Sequence, residues 1–342
     1  MTGVPSETAG PLRLGRLMDG YLSTQLLFLA ARLGVADELA AGPRSADHLA
    51  AAVGVPVGPL TRVLRGLAAD QVLDELPDGR FGLTATGAWL RSDVPGSMRE
   101  LALVRGELYF DAAAGLPAAV RGGDTAFERV YGRRFFDHLD ATPAHEQVFA
   151  AAMAGRADRE AADLVDAYDF GGIRHLVNVG GGYGVLVGAV LRATPGLTAT
   201  LVDRPAVVEP ARERLAAAGL ADRSTVVAGD FFAALPAGAD AYVLSRVLHD
   251  WSDEEAGRIL ATCRKAVPSG ARLLVAEALL PERARDQPAA IRMDLTMLML
   301  FGAARERTEA EYRELLADAG FTVTAVHRTA SPVGLGLVEA RG

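Results

Sequence analysis

The sequence predicts an α/β protein in two parts: a helical N-terminal module that closes in a hairpin, then an open, doubly wound and mostly parallel sheet. Three observations carry this prediction. Past residue 173, short strand-like runs alternate with amphipathic helical runs, the order that builds a parallel sheet covered on both faces. Where the first of these strands meets a helix stands 175-HLVNVGGGYG-184, a glycine cluster in a chain otherwise rich in alanine and leucine. Upstream, three helical patterns precede two short strands around a Pro-Asp-Gly-Arg turn.

Residues 1–11, MTGVPSETAGP, are small and polar and read as a loose tail. Over 12–40 a helix is expected, because Leu14, Leu17, Met18, Tyr21, Leu22, Leu26, Leu29 and Leu33 recur at helical spacing, with Gly34 as a stop. A short helix over 45–54 follows, with Ser45 and Asp47 as caps, and an amphipathic one over 57–73. Residues 72–84 then form a hairpin. Helix, helix, helix, hairpin is the order of a winged-helix domain, assigned to 12–100. Residues 101–168 are mostly helical and carry Tyr109, Phe110, Phe127, Tyr131, Phe135, Phe136 and Phe149; they read as a connector that walls a pocket. From 169 to the end, strands are expected at 175–179, 198–202, 224–228, 240–245, 272–277, 321–327 and 334–340, with helices at about 184–193, 205–218, 253–267, 291–301 and 308–319. Only 328-RTASPV-333 separates the last two strands, too short for a crossover helix, so the final strand must run antiparallel.

Composition narrows the function. The chain has 342 residues, half of them hydrophobic, and a net charge of −8. That length suffices for two domains and a sizeable core. No apolar run reaches about 18 residues, so no membrane span is expected, and the start lacks the basic and apolar segments of a signal peptide. Cys263 is the only cysteine, which excludes an intrachain disulfide and a cysteine metal cluster. These features fit a cytoplasmic protein. Winged helices often bind DNA, but residues 1–100 hold nine arginines against eleven acids, and 57–73 offers only Arg62 and Arg65 as bases. A nucleic-acid partner is therefore not expected. The first helix is apolar over more than one stripe, which suits packing against another chain.

The glycines sit where a strand-to-helix turn brings backbone close to a ligand. Gly180, Gly182 and Gly184 do not make the dinucleotide fingerprint, since Val185 and Val187 stand where it needs glycine. Asp203 ends the next strand, where an acid can take both hydroxyls of a ribose. Asp230, in 228-AGDFF-232, follows the third strand, where it can reach an adenine amino group, and Phe231 can pack on the adenine face. His249 lies just past the fourth strand and Glu277 ends the fifth, both on the carboxyl edge where such folds bind ligands. A largely neutral imidazole there can accept a phenolic proton. The acids sit singly at strand ends without ligand spacing, so no metal is expected.

Taken together, 175–252 with 247-VLHDWSDEEAGRIL-260, 276-AEALLPE-282 and 304-ARERT-308 resembles the S-adenosylmethionine-dependent O-methyltransferases of the caffeic-acid type and their bacterial antibiotic-pathway relatives. The likeness covers nearly all of the chain past residue 12. It implies a class I methyltransferase domain joined to a winged-helix-like dimerisation domain, and a homodimer in which an N-terminal residue enters the partner's pocket. It implies S-adenosylmethionine as cofactor, with Gly180, Gly182, Asp203, Asp230, Phe231, Ser245 and Arg246 about it. It also implies that Glu277 and Glu306 bracket His249; Asp250 beside it is either a participant or a cap. An acceptor pocket would draw on Phe149, Met153, Asp294, Met297 and Leu298, the methionines suiting a flat aromatic guest. Asn178 departs from the family, which usually has aspartate before this turn. The expected function is methylation of a phenolic hydroxyl of an aromatic or polyketide-type metabolite. The alternatives are a relative that holds the same cofactor for hydroxylation or cyclisation, and a metabolite-sensing DNA-binding regulator.

Overall fold

The computed structural model describes residues 9–342. The tail expected over 1–11 falls mostly outside them. Its last three residues are helical, because Pro11 sits in the first turn of a helix, where a missing N–H costs nothing. The chain divides into two units: residues up to 114 with 136–155, and 115–135 with 156–342. The segment 101–168 is thus shared between them.

In the first unit, the single helix expected over 12–40 is three: Ala9–Met18, Gly20–Leu33 and Val35–Glu38. The break falls at Asp19-Gly20, a pair of poor helix formers. At the second break Gly34 adopts φ +69° and its N–H reaches the carbonyls of Ala30 and Ala31, a left-handed cap that glycine takes without steric cost. β1 (Arg44–Ser45), unanticipated, leads into Ala46–Val53, whose cap Ser45 accepts from His48 N–H at 3.2 Å. Val57–Ala69 ends earlier than the expected 73, because the chain turns through Gln71, at φ +59°, into β2 (Leu73–Glu75) and β3 (Arg80–Leu83). β3 lies between β1 and β2, antiparallel to both. Leu49, Leu60, Leu64, Leu67 and Phe81 are fully buried between helices and sheet. Leu12, Leu14, Leu17, Met18, Tyr21 and Leu22 remain exposed on the first two helices.

The second unit is built on β4 (His175–Val179), β5 (Thr198–Asp203), β6 (Ser224–Ala228), β7 (Ala241–Ser245), β8 (Arg272–Leu280), β9 (Arg307–Thr308), β10 (Thr322–Arg328) and β11 (Leu335–Arg341). Their order is β10-β11-β8-β7-β4-β5-β6, with β9 attached to β8. β4 to β8 pair in parallel, and β11 runs antiparallel to β8 and β10, as the short link before it requires. The seven expected strands are present, with the two-residue β9 as an addition. β8 is longer than expected, since β9 pairs with Leu279 and Leu280 beyond Glu277. Both faces of the sheet are covered. Leu176, Val190, Leu201, Val243 and Leu274 pack on one side, and Val177, Tyr242, Leu244, Ile259, Val275 and Tyr312 on the other. Continuous apolar strands follow from that double burial. The carboxyl ends of β4, β5, β6, β7 and β8 share one edge, which gathers every candidate residue named on those strands.

Candidate active site

The glycine turn leaves β4 and enters the helix Val185–Ala193 with Gly180, Gly182 and Gly184 all at positive φ. A Cβ on Gly180 would stand 2.8 Å from Val247 Cγ2, and Phe231 Cε1 is 3.7 Å from the same point. Close approach and a left-handed backbone, φ +64°, together explain Gly180. The backbone N–H of Gly182 donates to Asp203 Oδ2 at 2.8 Å, so the turn aims the carboxylate proposed for a ribose. Asp230 accepts from Phe232 N–H at 2.9 Å through Oδ1. Gly180, Gly182, Asp203, Asp230, Phe231 and Ser245 thus lie along one strand edge.

Asn178 is buried in β4. Its side-chain amide donates to the Val243 carbonyl at 3.2 Å, tying β4 to β7. Its Oδ1 has no partner among the described residues, and lies 2.7 Å from where a Cβ on Gly181 would be. A carboxylate here would set oxygen against the Val243 carbonyl oxygen. Asparagine suits the site because it can donate.

His249 sits in the single turn Leu248–Asp250 and is buried. Its Nδ1 faces Glu306 Oε1 at 3.1 Å and its Nε2 faces Asp250 Oδ1 at 3.3 Å. Burial and the Arg246 charge oppose protonation of the ring, but Asp250, Glu306 and Glu277 outweigh them and raise its pKa above the ordinary value. Glu306 is buried too, which alone would raise its pKa. Arg246 and His249 overcome that and hold it at about 2.

Glu277 lies beside the ring, with a carboxylate oxygen within 4.8 Å of an imidazole nitrogen, and also holds the turn that carries it. Its Oε1 accepts from the backbone N–H groups of Val247 and Leu248 at 2.9 and 2.8 Å, so it fixes the turn that carries His249. Burial raises its pKa, against the pull of His249 and Arg246. The far side of the turn is fixed by two residues that sequence reasoning passed over. Arg307, 1% exposed, donates to the carbonyls of Leu248 and Trp251 at 2.9 Å each and to Asp253 at 2.8 Å. Arg305 N–H donates to the His249 carbonyl at 3.0 Å. Both lie in the 304-ARERT-308 motif, which was the available signal. Two capping boxes, at Ser252–Glu255 and Thr308–Glu311, begin helices directly after the His249 turn and the Glu306 segment.

The Arg246 side chain, expected near the cofactor, turns into this cluster. It pairs with Glu306 at 2.9 and 3.4 Å, lies 3.7 Å from Glu277 Oε2 and 3.9 Å from Glu160 Oε2. Its backbone is left-handed, φ +58°, which costs a non-glycine residue about 1 kcal/mol. Asp294, expected in the acceptor pocket, accepts from Glu306 N–H at 3.0 Å and so supports the same carboxylate. Met297 is buried and Leu298 half-buried on that helix, Pro288–Phe301. Phe149 and Met153 belong to the first unit, the other three pocket candidates to the second. One ligand atom from each of His249, Glu277 and Glu306 lies within 4.8 Å of the others, close enough for a metal ion. Arg246 lies against both carboxylates, 2.9 Å from Glu306 Oε1 and 3.7 Å from Glu277 Oε2, and the latter oxygen has no hydrogen-bond partner among the described residues.

Comparison with known proteins fits this geometry. Residues 114–322 match the O-methyltransferase domain and residues 16–93 the O-methyltransferase dimerisation domain. Phenazine O-methyltransferase PhzM of Lysobacter antibioticus is 42% identical over 327 residues, 95% of this chain and 94% of that protein. CalO1, a methyltransferase in calicheamicin biosynthesis solved with S-adenosylhomocysteine, superposes with a TM-score of 0.88 at 36% identity, covering 99% of both chains. NcsB1, an O-methyltransferase from neocarzinostatin biosynthesis solved with S-adenosylhomocysteine and 1,4-dihydroxy-2-naphthoic acid, gives 0.77 at 36% identity over 94% of this chain and 96% of that one. Among the described residues no helix is long and apolar enough to cross a membrane. With the strand-edge cradle, the buried His249 cluster and both domains matched in order, the chain belongs to the O-methyltransferase family and carries that family's dimerisation domain.

Proposed function

We propose that this protein transfers a methyl group from S-adenosylmethionine to a hydroxyl of an aromatic acceptor, with His249 as general base. One observation carries the reading: a buried imidazole whose Nδ1 is held by Glu306, leaving Nε2 as the nitrogen that takes a proton. When bound, the cofactor supplies an already activated methyl. Gly180 and Gly182 would line its backbone cradle, Asp203 would hold its ribose, and Asp230 with Phe231 its adenine. His249 removes the hydroxyl proton as the oxygen attacks, and the carboxylates about it stabilise the imidazolium. Asp250, at Nε2, has to yield that position to the acceptor; its side chain is partly exposed and free to do so. Met297 and Leu298 offer apolar walls for a flat guest. The dimerisation domain supports a homodimer, and its acidic balance argues against a nucleic-acid role.

Incubation with methyl-labelled S-adenosylmethionine and a panel of hydroxylated naphthoates, phenazines and aromatic polyketides tests this. Label should pass to an acceptor oxygen. A product that gains oxygen and no methyl would replace this reading with the hydroxylating one.

A further inference from the structure

Glu160 lies on the helix Pro143–Ala167, in a segment with no recognisable motif, yet it is only 8% exposed. Its Oε1 accepts from Arg156 Nε at 2.7 Å and its Oε2 lies 3.9 Å from Arg246 Nε. Arg246 Nε has no hydrogen-bond partner among the described residues, and Glu160 is the carboxylate paired with it. The guanidinium is therefore divided: its two Nη atoms go to Glu306 and its Nε edge to Glu160. Buried ion pairs cost desolvation, and apolar side chains of the same volume would often stabilise a fold as well or better. A chain of four such charges ending on a base asks for another explanation.

We propose that Glu160, backed by Arg156, is a positioning residue of the methyl transfer: it holds the Nε edge of Arg246 so that Glu306 stays aligned on His249, and it supplies charge that helps offset the imidazolium once His249 carries the acceptor's proton. The inference rests on His249 being the base. Four carboxylates, Glu160, Asp250, Glu277 and Glu306, face two guanidiniums, Arg156 and Arg246, so negative charge is in excess by two while His249 is neutral and by one when it is protonated, and Glu160 supplies one of the charges that offset the imidazolium. The charged groups around the ring are Arg246 and Asp250 from its own segment, Glu277 from β8, Glu306 from the 304–308 segment and Glu160 with Arg156 from the helix. Asp294 reaches the ring only through the Glu306 backbone, and Arg305 and Arg307 reach it through backbone carbonyls and Asp253. Arg156, Arg246 and His249 also hold the Glu160 carboxyl below the usual range against its burial.

The two members of the pair should act with opposite sign. Glu160→Gln removes a negative charge, destabilises the imidazolium and should move the acid limb of kcat down by about half a pH unit or more. Arg156→Gln removes a positive charge and should move it up by a similar amount. Affinity for S-adenosylhomocysteine, followed by calorimetry on the full-length protein, should be unchanged in both. Limbs that stay in place, or that move in the same direction, would overturn the proposal, since a merely structural role lowers the plateau without a sign. If Glu160→Gln does not fold, Glu160→Asp, which keeps the charge, should keep the wild-type limb, and Arg156→Gln alone decides the sign. His249→Ala separates the two readings. Full turnover in that variant removes the base itself, whereas lost turnover with unmoved limbs removes only the role given to Glu160.

Discussion

A single oxygen of Glu306 serves two partners: Oε1 stands 3.1 Å from His249 Nδ1 and 2.9 Å from an Arg246 Nη atom. The base and the buried cation are thus linked through one atom. Whatever moves the guanidinium moves the acceptor of the ring's hydrogen bond.

His249→Ala should leave cofactor affinity nearly intact, because the ring's polar partners, Glu306 and Asp250, are not among the residues assigned to the cofactor, and should lower kcat about a hundredfold or more, the scale of general-base loss. Single-turnover rates with saturating cofactor check it. An unaffected rate would mean that the acceptor ionises unaided.

Activity and stability should run in opposite directions with pH. The His249 pKa is raised above 6.5 in the folded protein, and the base must be neutral to work, so kcat should fall as pH drops, starting above 6.5. The same shift makes protonated His249 stabilising. That contribution is fully present below the unfolded pKa of 6.5 and is lost as pH rises through the folded value. Melting temperatures across this window, with His249→Ala as the reference, should show the variant losing least at the alkaline end.

Asn178→Asp should destabilise the protein by roughly 1–3 kcal/mol, the cost of leaving a buried polar group without its partner. The Val243 carbonyl loses its donor and meets a carboxylate instead. Chemical denaturation measures the loss, and a calorimetric titration should show weaker cofactor binding. Unchanged or tighter binding would mean the acid finds a donor in the glycine turn.

Leu17→Glu combined with Leu22→Glu places charge on the apolar face of the first two helices, where both side chains are exposed in the single chain. Sedimentation should then report monomer in place of dimer, with turnover reduced and the second unit still binding cofactor. A dimer that survives would move the interface elsewhere on the domain.

Much of this site was legible in the chain. Asp203, Asp230 and Ser245 end strands or follow them directly, so strand periodicity alone brings them to one edge. His249 and Glu306 stood in short, distinctive motifs. The Glu160 contribution was not legible, because a glutamate on an amphipathic helix looks like any solvated residue until its partner Arg246, 86 positions away and left-handed, is placed. The side-chain partners of Arg246 were hidden in the same way: its position at the end of β7 says nothing of Glu306, sixty positions on, with which the guanidinium pairs. The break at Asp19 was hidden by a leucine pattern that continues on both sides of it.

The two capping boxes give the site an unusual dependence on time. Because the His249 turn and the Glu306 segment each run directly into the first turn of a helix, and Arg307 ties one to the other through Asp253, neither should open without unwinding its helix. Backbone amides of 247–250 and 305–308 should therefore exchange their hydrogens with solvent as slowly as the central strands, through rare global opening and not through local fluctuation. The reacting geometry would then persist for as long as the domain itself stays folded.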